Sequence, residues 1–516
     1  MPFSVKRIVK RREFLKMSAS VIALAMLDPV KKAYAAGAAT WKQQFDSALA
    51  KKPWLTAFMG TQQEYFSSVS PRIQGDIPKG LTGTLFRNGP ARHEIDDYRF
   101  QHWFDGDGMI QSYNITESGV SHQARMIQTQ KYRNEKEAQR ALYRGFGSSP
   151  PNAKGPSSPD TVNTANISVL AHHDKLFALW EAGSPYEIDP VTLETRGIHS
   201  WSKETQALPF SAHPRIEPDG TLWNFGYAPS QDILLLWHID AGGNLKNIKP
   251  LNVPKMTIPH DFVVTEKHII VMLAPLYSEN KQAETFLDAF KWHPEDATRV
   301  IVIDKNSLEL RHTYELPAQW VFHFGNAWED ESGTIRFDGA RSDNIDVMNI
   351  DFREVMRGIS PSSATGARHY QYRIDTRRGT IVETPILDVG RGSEFPGIDP
   401  RVSTQKYEKV FVLSSDQNDP APHGWQNAVS MINVDSGYED RFVYDNNQLP
   451  EEHIFVPKMN SAKEGAGWVL GTFLDYKSRK TGLNIFNATN LADGPMTTVT
   501  LPYALPMGLH GKFLRS

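Results

Sequence analysis

One motif recurs seven times along this chain and constrains its architecture more than any other feature. A run rich in β-branched and aromatic residues ends in an apolar residue followed by a short polar one, turns, and gives way to a new run. It occurs at Thr116 (NITESG), Asp189 (EIDPVTLET), Asp240 (HIDAGGNL), Asp304 (VIDKNSLEL), Asp375 (RIDTRRGT), Asp435 (NVDSGYE) and Asn487 (IFNATNL). Asp and Asn suit such corners because their side chains bond their own backbone two residues on. The turns lie about 50–70 residues apart, a period that marks a repeat architecture. Runs such as TLWNFGY, HIIVMLAPL, TRVIVID and KVFVLSS, bounded by Gly, Pro, Asn and Asp, make each unit a small sheet. Seven units of this kind predict an all-β, seven-bladed β-propeller, within the usual range of about four to eight blades.

The units exceed a typical blade of ~40–45 residues. The surplus is expected in helices and long loops that cap one face. Residues 136–165 are rich in Ser, Pro and Gly and read as a loop. The stretch 276–298 contains ETFLDAFKWH, whose apolar spacing suits an amphipathic helix. That helix would either pack over the propeller or offer an apolar patch to a membrane surface.

Four of the 17 histidines share one phase of the repeat: His213 (AHPRIEPDG), His260 (IPHDF), His323 (FHFGNA) and His510 (GLHG). Each follows its own turn by nearly the same interval. Side chains at one phase of a radial repeat converge on its axis, so a site of four imidazoles is expected there. Imidazole suits iron, zinc, copper and nickel. A closed four-coordinate zinc would be structural, whereas a six-coordinate metal would keep positions free for a small ligand. Glu394 (SEFPGIDPR) and Glu452 (EEHIFVP) fall at the same phase in two units that lack a histidine. Carboxylates so placed suit the second N–H of a metal-bound imidazole.

Composition excludes several chemistries. With no cysteine among 516 residues, the chain has no disulfide, thiolate nucleophile or iron–sulfur ligand. Its net charge of −3 gives no reason to expect a nucleic-acid partner. A Walker loop, a GxSxG elbow and an HExxH helix are all missing. Near the start, Lys10-Arg11-Arg12-Glu13-Phe14-Leu15 matches a twin-arginine export signal. A short apolar stretch and the small-x-small site Ala33-Tyr34-Ala35 follow. The expected organisation is a signal peptide over 1–35, a lead-in over 36–82 holding Trp41, Trp54 and Tyr65, and a single propeller domain over 83–516, acting in the periplasm.

Taken in order, GTLFRNGPARHE, FDGDGMI, ALWEAGSPYEIDPVTLETRG, AHPRIEPDGTLWNFGY, IPHDFVVTEKHIIVMLAPL, FHFGNAWE, EFPGIDPR, EEHIFVPK, GWVLGTFLDY and LPMGLHG resemble the carotenoid cleavage oxygenases. The likeness runs from about Gly83 to the C-terminus. It implies one Fe(2+) per subunit held by His213, His260, His323 and His510, with Glu181, Glu394 and Glu452 orienting three of the imidazoles. It also implies a substrate cavity lined by Ile167, Trp180 and Phe322. Ile167 stands after VNTAN where many members carry Thr or Val. Trp180 stands where stilbene-cleaving members carry Lys. The implied reaction is cleavage of a conjugated C=C bond by O2 to two carbonyl products. An apolar polyene, carotenoid or apocarotenoid, is the expected substrate, and a stilbene the alternative. An isomerase, a hydrolase or a non-catalytic binder of apolar ligands on the same fold remain the rival readings.

Overall fold

The computed structural model describes residues 40–362, 366–387 and 390–516. Seven antiparallel sheets of four or five strands follow one another in chain order. Each of the seven turns joins the third strand of its sheet to the fourth. Asp189 links Tyr186–Ile188 to Thr195–Ile198, and Asp304 links Thr298–Asp304 to Glu309–Leu316. The corner chemistry is as expected: Asp304 Oδ1 accepts the N–H groups of Asn306 (3.0 Å) and Ser307 (2.8 Å), and Asp375 Oδ1 those of Arg377 and Arg378. Blade 6 differs in detail. There the accepting residue is Asn433, which bonds the N–H groups of Asp435 and Ser436, so the repeat is in phase at Asn433 and not at Asp435. With that correction Glu452 follows its turn by the same interval as Glu394.

First strands of neighbouring blades touch from blade 4 round to blade 2. Fourth strands face outward: Glu309–Leu316 is exposed along most of its length. Middle strands are covered on both faces, and Thr298–Asp304 is almost wholly buried. This explains the continuous apolar runs, since each middle strand is packed between two neighbouring sheets. One such core joins blades 4 and 5 through Val263, Val302, Phe324, Ile335 and Tyr372.

The ring closes on blade 1. Gly511–Arg515, the last strand, pairs with Gly83–Arg92 and so supplies the first strand of the first blade. The segment expected as a lead-in also joins the sheets. Tyr65–Val69 adds an outer strand to blade 1 and Arg72–Gly75 one to blade 7. Ahead of them a helix at Trp41–Leu49, capped by Thr40, and a tight turn at Pro53–Phe58 bury Phe45, Trp54 and Phe58 against Trp103 and Trp425. The expected signal peptide lies outside the described residues.

The expected helix in ETFLDAFKWH does not form. Leu287–Ala289 makes a single tight turn, and Phe290–Trp292 pairs with Leu276–Ser278 as a two-stranded hairpin. Leu287 and Ala289 are buried, and Phe286, Phe290 and Trp292 are half-buried against the core. Residues 136–165 are mostly irregular, as expected. Among the described residues no helix is long and apolar enough to cross a membrane.

Removing residues 511–516 keeps His510 in the chain but takes away the first strand of blade 1 and the Gly511 N–H that bonds Glu452. The expected result is a fall in Tm of about 5 °C or more, because even 1 kcal/mol shifts a large domain by ~2–4 °C. Calorimetry of the full-length and shortened chains reads this directly. An unchanged Tm would show that the ring does not depend on the strand.

Candidate metal centre

The four histidines, Glu394 and Glu452 occupy one structural position, the place where the chain enters or runs along the first strand of a blade, whereas Trp180 and Glu181 follow the second strand of blade 2. His213 precedes Arg215–Ile216, His260 precedes Val263–Val264, His323 lies within Trp320–Glu329 and His510 precedes Gly511–Arg515. The other three blades offer Ile167, just before Ser168–His172, Glu394 in Arg391–Gly397 and Glu452 in Gln448–Pro457. Round the axis there are thus four imidazoles, two carboxylates and one apolar side chain. In blades 5, 6 and 7 the first strand slips register at this point, between Val321 and Phe324, Glu394 and Gly397, and Pro450 and His453. Such bulges bend a strand and re-aim its side chains.

The four rings meet. One ring nitrogen each from His213, His260 and His323 lies within 4.8 Å of the others, and Nε2 of His213 is 3.0 Å from Nε2 of His260. His510 packs on His213 and His323, with centroids 4.7 and 4.9 Å apart. Behind them stand the three glutamates. His323 Nδ1 lies 2.6 Å from Glu394 Oε2, His510 Nδ1 2.8 Å from Glu452 Oε1, and His260 Nδ1 3.3 Å from Glu181 Oε2. A carboxylate can only accept, so each of these Nδ1 atoms carries the proton, and each Nε2 presents its lone pair inward. His323 Nε2 is buried with no hydrogen-bond partner. His213 is held through its backbone N–H, which donates to Ser211 Oγ (3.0 Å).

The surroundings keep His213 and His510 neutral, the form in which imidazole binds a metal. Burial, reinforced by the neighbouring imidazoles and Arg215, holds His213 well below the usual histidine range. Burial also lowers His510, although Glu452 opposes it. At His260 burial acts downward too, but Glu181, with Asp261 and Glu394, outweighs it and the net shift is upward. Burial would raise Glu452, yet His510 and Arg87 hold it below the usual carboxylate range. Imidazole nitrogens aimed at one point, one of them buried and unpaired, fit a first-row divalent metal.

Three residues that the sequence reading passed over complete the site. Arg87, in GTLFRNGPARHE, is almost fully buried and donates to Glu452 (2.9 Å), Glu451 (3.0 Å) and the Leu509 carbonyl (3.1 Å). The Tyr227 hydroxyl donates to Glu181 Oε1 (2.9 Å). The Phe395 ring stacks on His323 at 4.9 Å. Arg87, Tyr227 and Phe395 all lie within the quoted motifs, but nothing in their spacing marks them.

A largely apolar cavity flanks the imidazoles, and a second adjoins it. One is lined by His260, His323, His510, Phe322 and Ile167, with Trp103, Phe352 and Trp425 beyond them. The other is lined by Trp180, Glu181, Tyr227 and Phe286. They share Phe104 and Ile167. All three residues expected in a substrate cavity therefore line this paired space.

Comparison with known proteins agrees with this architecture. A family model described as retinal pigment epithelial membrane protein matches residues 58–515. The apocarotenoid-15,15'-oxygenase of Synechocystis sp. is 28% identical over 485 residues, 90% of this chain and 96% of that protein. The isoeugenol monooxygenase of Pseudomonas putida is 28% identical over 465 residues, 85% of this chain and 93% of that protein. The crystal structure of a cobalt-substituted Synechocystis apocarotenoid oxygenase superposes with a TM-score of 0.80 at 26% identity, covering 90% of this chain and 99% of that one.

Glu394→Gln keeps the shape at His323 but lets the neighbouring group donate where a carboxylate only accepts. Metal affinity is expected to fall about 10–100-fold, measured by competition with a chelator. Equal affinity in the two proteins would mean that Glu394 does not orient His323.

Proposed function

The chain belongs to the carotenoid cleavage oxygenase family, and on that premise we propose that it uses Fe(II) and O2 to split a conjugated C=C bond of an elongated, mostly apolar molecule into two carbonyl products. The observation that carries this reading is the convergence of four imidazoles, three of them held by carboxylates, beside cavities walled by aromatic side chains. His213, His260, His323 and His510 would hold the iron. When bound, the iron supplies the activation of O2.

The chain's own groups supply orientation and dryness. Glu181, Glu394 and Glu452 fix the ring planes and tautomers. Phe104 and Ile167, common to both cavities, set the path of a substrate passing the histidines. Phe322 stands edge-on to His260, with centroids 5.2 Å apart, and keeps the wall apolar beside the site. An apolar wall excludes water, which strengthens each charge and dipole inside.

An apocarotenoid is the preferred substrate. Trp180 offers a flat apolar surface to a polyene and no charge to a phenol. The isoeugenol monooxygenase relative favours a second reading, a phenylpropanoid or stilbene double bond. We further propose, from Lys10 to Leu15 and the small residues near Ala35, export to the periplasm by the twin-arginine route.

Anaerobic loading with Fe(II), followed by an air pulse with β-apocarotenals and hydroxystilbenes in parallel, is the direct test. Two carbonyl fragments should form from the apocarotenals, detected by mass spectrometry, with stoichiometric uptake of O2. Cleavage or isomerisation without O2 uptake would sink the oxygenase reading. Trp180→Lys should raise kcat/KM for a 4-hydroxystilbene on the order of 10-fold, since a hydrogen bond to a charged group contributes about 1.5–3 kcal/mol. Steady-state kinetics on both substrate classes measure it.

A further inference from the structure

A third cavity reaches the histidines from another side. It is lined by residues at the entry or first strand of all seven blades, from Ser168 in blade 2 round to Lys512 in blade 1. It is therefore the axial channel of the propeller. Its volume is ≈ 640 Å³, against ≈ 60 Å³ for the aromatic chamber beside Phe322. Its walls are more polar than those of the aromatic chamber: Arg215, Glu217, Asp261, Arg401 and Lys512 stand among apolar residues such as Leu170, Ile216 and Ile398. His213 and Glu452 face it, and neither lines the aromatic chamber.

Three residues line both spaces: His323, His510 and Phe395. Phe395 is not an imidazole, yet it lies flat on His323, with planes at 25°, and tilts against His510 at 5.2 Å. Its backbone has φ 53°, in the left-handed region that a bulky side chain avoids. Pro396 follows, and a residue before proline is further biased toward extended backbone. The local sequence therefore opposes this conformation. What holds it is the Phe395 N–H, which donates to Glu394 Oε2 (3.0 Å), and the seat of the ring on His323. Strain kept at a site is a reason to look for a role.

We propose that Phe395 is the partition between the two spaces, and that the metal ion enters and leaves by the axial channel while the organic substrate uses the aromatic chamber. A hydrated divalent cation loses its water shell in an apolar passage, at high cost. A polar channel lets it exchange water for carboxylate and imidazole one ligand at a time. The partition keeps channel water out of the chamber. This inference rests on the metal-centre reading of the four histidines but not on the reaction, so cobalt serves as the probe and turnover is not needed.

The test follows Co(II) uptake, and its loss to a hydrophilic chelator, by visible absorption. Ser403→Trp narrows the channel wall, and Ile398→Trp does so at a second point should the first variant lower Tm. Channel narrowing should slow both processes by about tenfold or more, as expected for a blocked polar path. Filling the chamber with trans-stilbene should leave the wild-type rates unchanged. In Phe395→Ala the spaces join, so stilbene should now change both the cobalt spectrum and the rate of loss, and Phe395→Leu should restore wild-type behaviour. Protection by stilbene in the wild-type protein, with no effect of either tryptophan, would overturn the proposal. So would a Phe395→Ala protein that matches wild type in both readouts. Failure to bind cobalt at all would overturn this inference together with the metal-centre reading, whereas cobalt binding without oxygenase activity would leave this inference standing.

Discussion

Closure of the ring by its last strand is the interaction on which the rest of the structure depends. Gly511–Arg515 pairs with Gly83–Arg92, and His510 stands at the start of that strand. Backbone bonds tie the two together at this point, Asn88 N–H to the His510 carbonyl (2.9 Å) and Leu509 N–H to the Asn88 carbonyl (2.8 Å). Arg87, next to Asn88, reaches Glu451, Glu452 and the Leu509 carbonyl from a nearly dry position. One guanidinium thus joins blade 7, blade 1 and the loop that carries a ligand. Its two carboxylate partners are desolvated with it, so loss of the cation would leave uncompensated charge costing about 3–5 kcal/mol. Folding and assembly of the metal centre are therefore the same event at this seam, since the fourth imidazole is in place only when the circle is shut.

The centre itself reflects an electrostatic compromise. Four imidazoles bring no charge to a dipositive ion. Three carboxylates stand one hydrogen bond further out and would offset part of that charge without binding the ion themselves. Each is tied by a different device: Tyr227 at Glu181, the Phe395 backbone N–H at Glu394, and Arg87 with the Gly511 N–H at Glu452. The outer ties keep the acceptors from turning away, and a fixed acceptor fixes the ring it holds. The aromatic side chains that wall the cavities then do little chemistry of their own. They exclude water and shape the path.

Local pattern carried much of the architecture. Turn residues at a steady period gave the seven blades and the common phase of the ligands, because a side-chain-to-backbone bond at a corner is short-range physics. The one slip, Asp435 in place of Asn433, came from two acceptors within three residues, and only the hydrogen bonds separate them. ETFLDAFKWH misled for a related reason. Its spacing fits a helix, but so short a segment gains little from helix formation, and pairing of Phe290–Trp292 with Leu276–Ser278 prevails. Tyr65–Val69 and Arg72–Gly75 looked like a lead-in because their partners lie far away in the chain, at Gly119–Met126 and Pro495–Thr500.

What the chain determined by itself is therefore the repeat, the phase of His213, His260, His323, His510, Glu394 and Glu452, and the class of chemistry that such a cluster supports. These follow from residue type and interval alone. Only the tertiary structure decided that Glu181, off the phase, reaches His260, that Arg87 ties the seam, and that Phe395 stands between two spaces. Those contacts join blades through positions distant in sequence, and no local preference encodes which distant side chain a folded ring will bring alongside.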